Sequence, residues 1–437
     1  MYMDINIRLL VKDHFLNQMW LVGWLLVALV GYTVLSIFSD NLAKPFIDLI
    51  LLAALVAFFF APKPVTSSPA IYIFVFALAA ALLTWALMLL QHADIAESSP
   101  QVHKLTYWFF LIPIAFACGG DRRKVIGIWL IAGVALVFTP WVKGIGVTAI
   151  VNGITGSRTD LNLLNAQHAA MYFAVLALGA VAVLPRLLAL KNLRWLAVGA
   201  CLLVLVYALV AVIITQTRAV WLGLSIALIV QMAVSLRVTS ASWRRVTRLV
   251  AMVVIPLIIV LATNWQLIQQ RVIAESDSIA ALWADDAIAF DSAGIRLHFW
   301  RESLHWIAER PLVGWGVEGK KMVIQQADSF PEAIKKQDLS HLHNSFLDAL
   351  VNFGLLGLAA IVALWAYLVR ACVQLWRNGH ISNDLLVFYL SFLALWFVIN
   401  CFESYMQFAS GRFVFALISG GMLSLVWRTR LLPGKSA

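Results

Sequence analysis

Residues 195–236 read WLAVGACLLVLVYALVAVIITQTRAVWLGLSIALIVQMAVSL, two apolar runs with Arg218 as the only charged residue between them. Each run has about the twenty residues that a helix needs to cross roughly 30 Å of hydrocarbon. Only the few residues around Gln216 and Thr217 separate them, so they must run antiparallel. A water-soluble helix keeps one polar face, and neither of these runs has one.

Working outward, similar runs fill most of the chain. Of its 437 residues 62% are apolar and 12% charged, where a soluble domain has roughly a quarter charged. We place spans near 19–38, 46–61, 71–91, 105–118, 125–142, 168–185, 195–215, 219–236, 249–267, 346–369, 384–402 and 413–427. The expected fold is an all-α polytopic membrane protein of about twelve transmembrane helices, with one long structured outer loop containing amphipathic helices. Three parts follow: an N-terminal bundle over 1–265 with about nine helices, the loop over 266–345, and a C-terminal set of about three helices over 346–437. The first stretch carries Asp4, Arg8, Lys12 and Asp13 with no cleavage pattern behind it, so no cleaved signal is expected.

Charge sets the orientation. With the N-terminus cytoplasmic, 18 of the 32 Lys and Arg residues fall on that side, among them Arg122, Arg123, Lys124, Arg244, Arg245 and Arg428; the opposite short loops hold 6. The positive-inside rule then puts both termini in the cytoplasm and the segment from Gln266 to Ser345 outside. The net charge of +10 is thus accounted for by topology, and no nucleic-acid partner is expected. Cys118, Cys201, Cys372 and Cys401 lie in or beside apolar runs without metal-ligand spacing, and read as helix filler.

Within the long segment, Leu297, Trp300, Leu304 and Ile307 recur at helical spacing, with Asp291 or Ser292 as N-cap and Pro311 as the stop. Pro311 to Gly316 is turn-rich. Arg218 sits so close to hydrocarbon that it needs an anionic partner or a wet cavity, or else snorkels to the interface. Arg296 opens the amphipathic helix on the same side; two guanidinium groups would suit a pyrophosphate, while a solvated helix face is the plainer reading. His341 and His343 stand just before the tenth span, next to Asn344, and histidine is the natural base near neutral pH; an interfacial hydrogen-bonding role is the alternative. Arg158 precedes Gln167 and His168, which either line a sugar-binding cavity or cap a helix. No third metal ligand stands at a recognisable spacing, Asp285-Asp286 reads as a solvated turn, and there is no phosphate-binding loop. Neither a metal nor a cofactor is expected. An anion transporter or lipid flippase could also use two arginines, but no pair of similar halves is visible.

Three pieces in order, Thr217-Arg218, Gly294-Ile-Arg296 followed by Glu309 to Gly316, and His341-Leu-His343-Asn344, resemble the O-antigen ligases and related O-antigen polymerases of Gram-negative inner membranes. The likeness covers roughly 216–358. It implies metal-independent, inverting glycosyl transfer in the periplasm, from an undecaprenyl-pyrophosphate-linked polysaccharide to a sugar hydroxyl on lipid A-core. His343 would be the general base, Arg218 and Arg296 the grip on the pyrophosphate, and His341 an auxiliary. A polymerase or a protein O-oligosaccharyltransferase would share that chemistry and differ in acceptor.

Overall fold

The computed structural model describes residues 19–238, 294–327, 330–336 and 341–431, with isolated positions between 262 and 269. Its principal helices are α1 (Met19–Phe38), α2 (Asp40–Phe60), α3 (Pro69–Gln91), α4 (His103–Cys118, broken by a 3-10 turn at Tyr107–Phe109), α5 (Arg122–Val142), α6 (Ala166–Leu188), α7 (Arg194–Ile214), α8 (Arg218–Val238), α9 (Gly294–Glu309), α10 (Gly319–Gln326), α11 (Ser345–Arg377), α12 (Asn383–Asn400) and α13 (Ala409–Leu431). Among the described residues nine helices are long and apolar enough to span a membrane, and α1 and α4 contribute shorter apolar stretches. The span expected at 249–267 lies outside the described residues, as do the N-cap candidates Asp291 and Ser292. The protein is thus an all-α multi-pass membrane protein.

Lipid as solvent explains the distribution of apolar surface. Leu55, Phe59, Leu203 and Ile229 are large, apolar and exposed around the outside of the bundle, which would be costly in water and is neutral against acyl chains. Helix α13 is buried along most of its length, whereas α2 and α3 expose much of theirs. Around α13 runs an aromatic column: Trp396 stacks on Phe415 at 5.7 Å, Phe415 on Trp365 at 6.4 Å, and Trp396 reaches Tyr405 at 6.0 Å. The column leads from the core to the end of the bundle where α12 stops.

The two ends of the bundle differ in chemistry. At one, Arg186 pairs with Asp384 at 2.8 Å, Arg122 donates to Ser382, and Arg428 donates to the carbonyl of Gly120. The other end, where α3, α7 and α12 terminate, carries the described residues of 294–327, 330–336 and 341–344.

That segment is fixed by a break in α11. Gly354 has φ +61° and ψ −159°, a conformation that only glycine adopts cheaply, so residues 345–353 form a short helix of their own. The turn of Pro311 to Gly316 docks against the break. Trp315 N–H donates to Val351 O, Gly316 N–H to Asn352 O, Leu355 N–H to Pro311 O and Leu356 N–H to Leu312 O. Thr84 of α3 adds a bond to Val313 O at 2.7 Å. Backbone groups released by the break thus find partners inside the protein, the condition for irregular backbone at membrane depth.

Helix α9 ends before Pro311 as its sequence predicts, but its buried face is shifted from the expected stripe. Trp300 and Ile307 of that stripe pack on the second core together with Ile295 and Trp306, while Leu304 is 61% exposed and the buried positions are Phe299 and Ser303. The partners are Val323, Ile324, Phe330, Leu342 and Val351, a second small core. Aromatic bulk, Phe299 with Trp300 and Trp306, outweighs Leu297 and Leu304 in burying area.

Candidate functional site

The site begins with the short chain segment before α11. Leu342 is fully buried in the second core; its N–H donates to Asp348 Oδ1 and its carbonyl accepts from Trp300 Nε1. Pinning Leu342 on one side turns its neighbours to the other, since residues two apart share a face of a non-helical segment. His341 and His343 therefore lie together, ring centroids 4.4 Å apart. His343 has φ +53°, a left-handed conformation uncommon outside glycine, asparagine, aspartate and histidine.

Asn344 is the N-cap of α11: its side-chain oxygen accepts from the N–H groups of Phe346 and Leu347 at 3.0 and 3.1 Å. Such a cap is worth about 1 kcal/mol. Replacing Asn344 by alanine is therefore expected to lower the melting temperature, with Asn344→Ser restoring most of the loss; an alanine variant that melts with the parent would show that the cap carries no stability.

Facing the two rings is a residue that the sequence reading did not single out. Glu403, buried in the loop after α12, places one oxygen 3.1 Å from His341 Nε2 and the other 3.0 Å from His343 Nδ1. Oε1 also accepts the Ser404 N–H at 2.9 Å. Burial alone would raise this carboxyl, but the hydrogen bonds and charges of His341 and His343 outweigh it and hold it well below the usual carboxylate range. A carboxylate only accepts, so both facing nitrogens carry their protons. His343 Nε2 takes no hydrogen bond among the described residues, and 20% of the side chain stays exposed. The same three groups have ligand atoms within 4.8 Å of one another, close enough to hold a metal ion.

The N-terminus of α6 brings in the remaining candidates. Asn165 caps α6 by accepting from Gln167 N–H and His168 N–H. The His168 ring is fully buried, bonded to Ser410 at 2.7 Å and packed edge-on against Tyr405 and Phe408; Phe408 in turn touches His341. Tyr405 donates to Gln167 O at 3.2 Å. Burial pushes the Tyr405 phenol well above its ordinary range, Glu403 pushes it further, and Arg296 and Arg158 pull it back. Both guanidinium groups are therefore felt electrostatically at the same buried tyrosine. Arg158 Nε also donates to Thr215 O at 3.1 Å, Gln216 donates to Gly156 O, and Thr217 donates to Ala166 O. These bonds set the first residue of α8, Arg218, at the same end of the bundle.

Glu403, His341 and His343 thus form one contiguous cluster, joined through Phe408 to His168 and from there to Tyr405, whose phenol also feels Arg158 and Arg296. Arg218 starts the adjoining helix. Glu403 left one signal in the sequence, a carboxylate at the end of a strongly apolar run; its partners sixty residues upstream could not be read from spacing.

Fold and site together define a multi-pass membrane protein with an imidazole–carboxylate cluster and several arginines gathered at one end of its bundle. Residues 203–362 match the family model described as O-Antigen ligase, and this match supports the O-antigen ligase and polymerase family. The matched segment holds Arg218, Arg296, His341, His343 and Asn344, while Arg158, Gln167, His168 and Glu403 lie outside it. No curated protein matches the chain. The family supports a transferase of lipopolysaccharide biosynthesis acting on a lipid-linked polysaccharide.

Proposed function

We propose that this chain is an O-antigen ligase of the bacterial inner membrane. It transfers a polysaccharide from undecaprenyl pyrophosphate to a sugar hydroxyl of lipid A-core on the periplasmic face, with inversion and without a metal. Both termini are cytoplasmic, since the arginine-rich end carrying Arg122, Arg186 and Arg428 is opposite the cluster. The chain divides into a bundle over 1–265, a catalytic loop over 266–345 and C-terminal helices over 346–437.

The observation that carries this reading is His343, held through Nδ1 by Glu403 with Nε2 left to accept a proton. The acceptor oxygen attacks the anomeric carbon, the bond to the pyrophosphate oxygen breaks, and the hydroxyl proton passes to Nε2. The leaving pyrophosphate keeps its electron pair as an anion, and Arg218 and Arg296 match that charge bidentately. His341 is an auxiliary; Arg158, Gln167, His168 and Asn344 shape and support the site.

The test is transfer in vitro by purified protein in liposomes, with lipid-linked polysaccharide, rough lipopolysaccharide and a chelator. Chelator-resistant lipopolysaccharide ladders are expected. Arg218→Ala and Arg296→Ala should each lower kcat/KM for the donor by about 10- to 100-fold, as loss of a charge-assisted bond of roughly 1.5–3 kcal/mol requires. Lysine should rescue poorly, because it lacks the planar fork. Chelator-abolished transfer that zinc restores would overturn the metal-independent reading. Product with a second lipid-linked glycan in place of lipid A-core would instead identify a polymerase.

A further inference from the structure

We propose that Glu403 is the positioning residue of this site: its carboxylate fixes the tautomer and ring orientation of His343, and holds His341 as a second strut. The inference rests on the base reading above and extends it to a residue outside the family match, which ends at 362.

Geometry supports it from three sides. First, the carboxylate is itself immobilised. Its Oε1 is held by the Ser404 N–H, and its backbone carbonyl receives Ser345 Oγ at 3.4 Å, a hydroxyl that also donates to Asn400 at 2.7 Å. Glu403 thus ties the end of α12 to the start of α11. Second, both oxygens are used by imidazoles, Oε2 by His343 and Oε1 by His341. Third, His343 faces the carboxylate through Nδ1 alone. With the proton fixed on Nδ1, the lone pair must sit on Nε2, the nitrogen free to receive the acceptor's proton. Neutral imidazole left to itself would divide between two tautomers and rotate about χ2. The left-handed backbone of His343 costs energy that packing of Leu342 and the carboxylate bond repay together. As a proton arrives on Nε2, the adjacent carboxylate stabilises the imidazolium that forms.

The charged and titratable groups around Glu403 come from each packed element: His341 and His343 from the pre-α11 segment, His168 from α6, Tyr405 from its own loop, and Arg296 and Arg158 acting on that tyrosine. Of these, only the two histidines that the carboxylate bonds can lose their orientation when it is replaced.

Glutamine at 403 tests this sharply. It keeps the volume but offers one acceptor and one N–H₂, so one of the two imidazole N–H groups meets a donor. Glu403→Gln is expected to lower kcat by about 10²- to 10⁴-fold, up to what the base itself contributes, since the wrong tautomer cannot take the proton, with KM for the lipid-linked donor unchanged. The decisive arm is the double variant. Glu403→Gln in the His343→Ala background should cost at most a few-fold further, the share of the auxiliary His341, because the base that Glu403 positions is gone. A loss in that background as large as in the parent, or parent kcat in Glu403→Gln, would overturn the proposal. Nitrogen-15 spectra of histidine-labelled protein give a readout independent of turnover. One Nδ1-protonated resonance, assigned by its absence in His343→Ala, should move or split in Glu403→Gln; an unmoved resonance would equally overturn it. Full activity of His343→Ala would sink the base reading, and the same spectra would still decide whether Glu403 sets the tautomer.

Discussion

Replacing His343 is expected to lower transfer by about 10²- to 10⁴-fold, the usual contribution of a positioned general base, while the protein stays folded and retains its lipid-linked donor. Alanine alone is an ambiguous probe. Position 343 has φ +53°, and alanine there adds roughly 1 kcal/mol or more of backbone strain that histidine and asparagine tolerate better. His343→Asn is the cleaner variant, since it accepts the left-handed backbone and cannot serve as a base. Equal losses in both variants, with melting temperatures near the parent for asparagine, assign the effect to the imidazole. The residual rate reports what charge matching of the pyrophosphate achieves by itself. Exogenous imidazole should restore part of the rate in His343→Ala, where the ring has left a space beside Glu403. Initial rates of ladder formation measure all three. If His343→Asn turns over within a few-fold of the parent, proton transfer to this residue is not part of the mechanism.

The fold was legible to the extent that lipid dictates it. A bilayer accepts only segments whose backbone bonds are internal and whose side chains are apolar, so run length located the helices, and the edges erred where polar residues extend a helix beyond its apolar part. Asp40 and Lys44 belong to α2, which starts six residues before the expected span at 46. The expected stripe of α9 holds at Trp300 and Ile307 and fails at Leu304, because spacing weights leucine and tryptophan alike, whereas burial follows area and the shape of the neighbouring core. Nothing in the run 345–377 announces the break at Gly354, since apolar residues continue on both sides and only the docked turn reveals why glycine is required there. The candidate site was half legible. Arg218 stood out because a charge beside hydrocarbon demands a reason, Arg296 because it opens the amphipathic helix on the same side, and His341 and His343 because they precede a span. Glu403 met the first criterion but lacked a visible partner, because the closest neighbours of its carboxylate are brought there by packing of α11 against α12 rather than by proximity in the chain.

The second large effect concerns that break. Gly354→Ala is expected to destabilise the protein by about 2–5 kcal/mol, combining the cost of alanine in a positive-φ, extended-ψ conformation that is essentially confined to glycine with that of overpacking against rigid neighbours. A methyl group at 354 would press on the backbone of Leu312 and Val313, atoms that cannot rotate away. Gly314 meets the mirror situation, with a Cβ position 2.6 Å from the backbone of Asn352 and Phe353. Either substitution forces the turn of Pro311 to Gly316 off the break, and the turn is the C-terminal anchor of α9. Helix α9 carries Arg296 and, through Trp300, the carbonyl bond that pins Leu342 between the two histidines. Activity should therefore fall along with stability, although no residue of the cluster has changed. Gly379→Ala separates the two contributions: its φ is +72° with nothing within 4 Å of the added carbon, so it bears the conformational cost alone, about 1–2 kcal/mol, far from the cluster at the opposite end of the bundle. Melting temperature and transfer rate, measured for both variants, distinguish docking from mere strain. Gly354→Ala should lose both well beyond Gly379→Ala; equal losses in the two would mean that the turn does not hold α9 in place, and that the position of Leu342 depends on the second core alone.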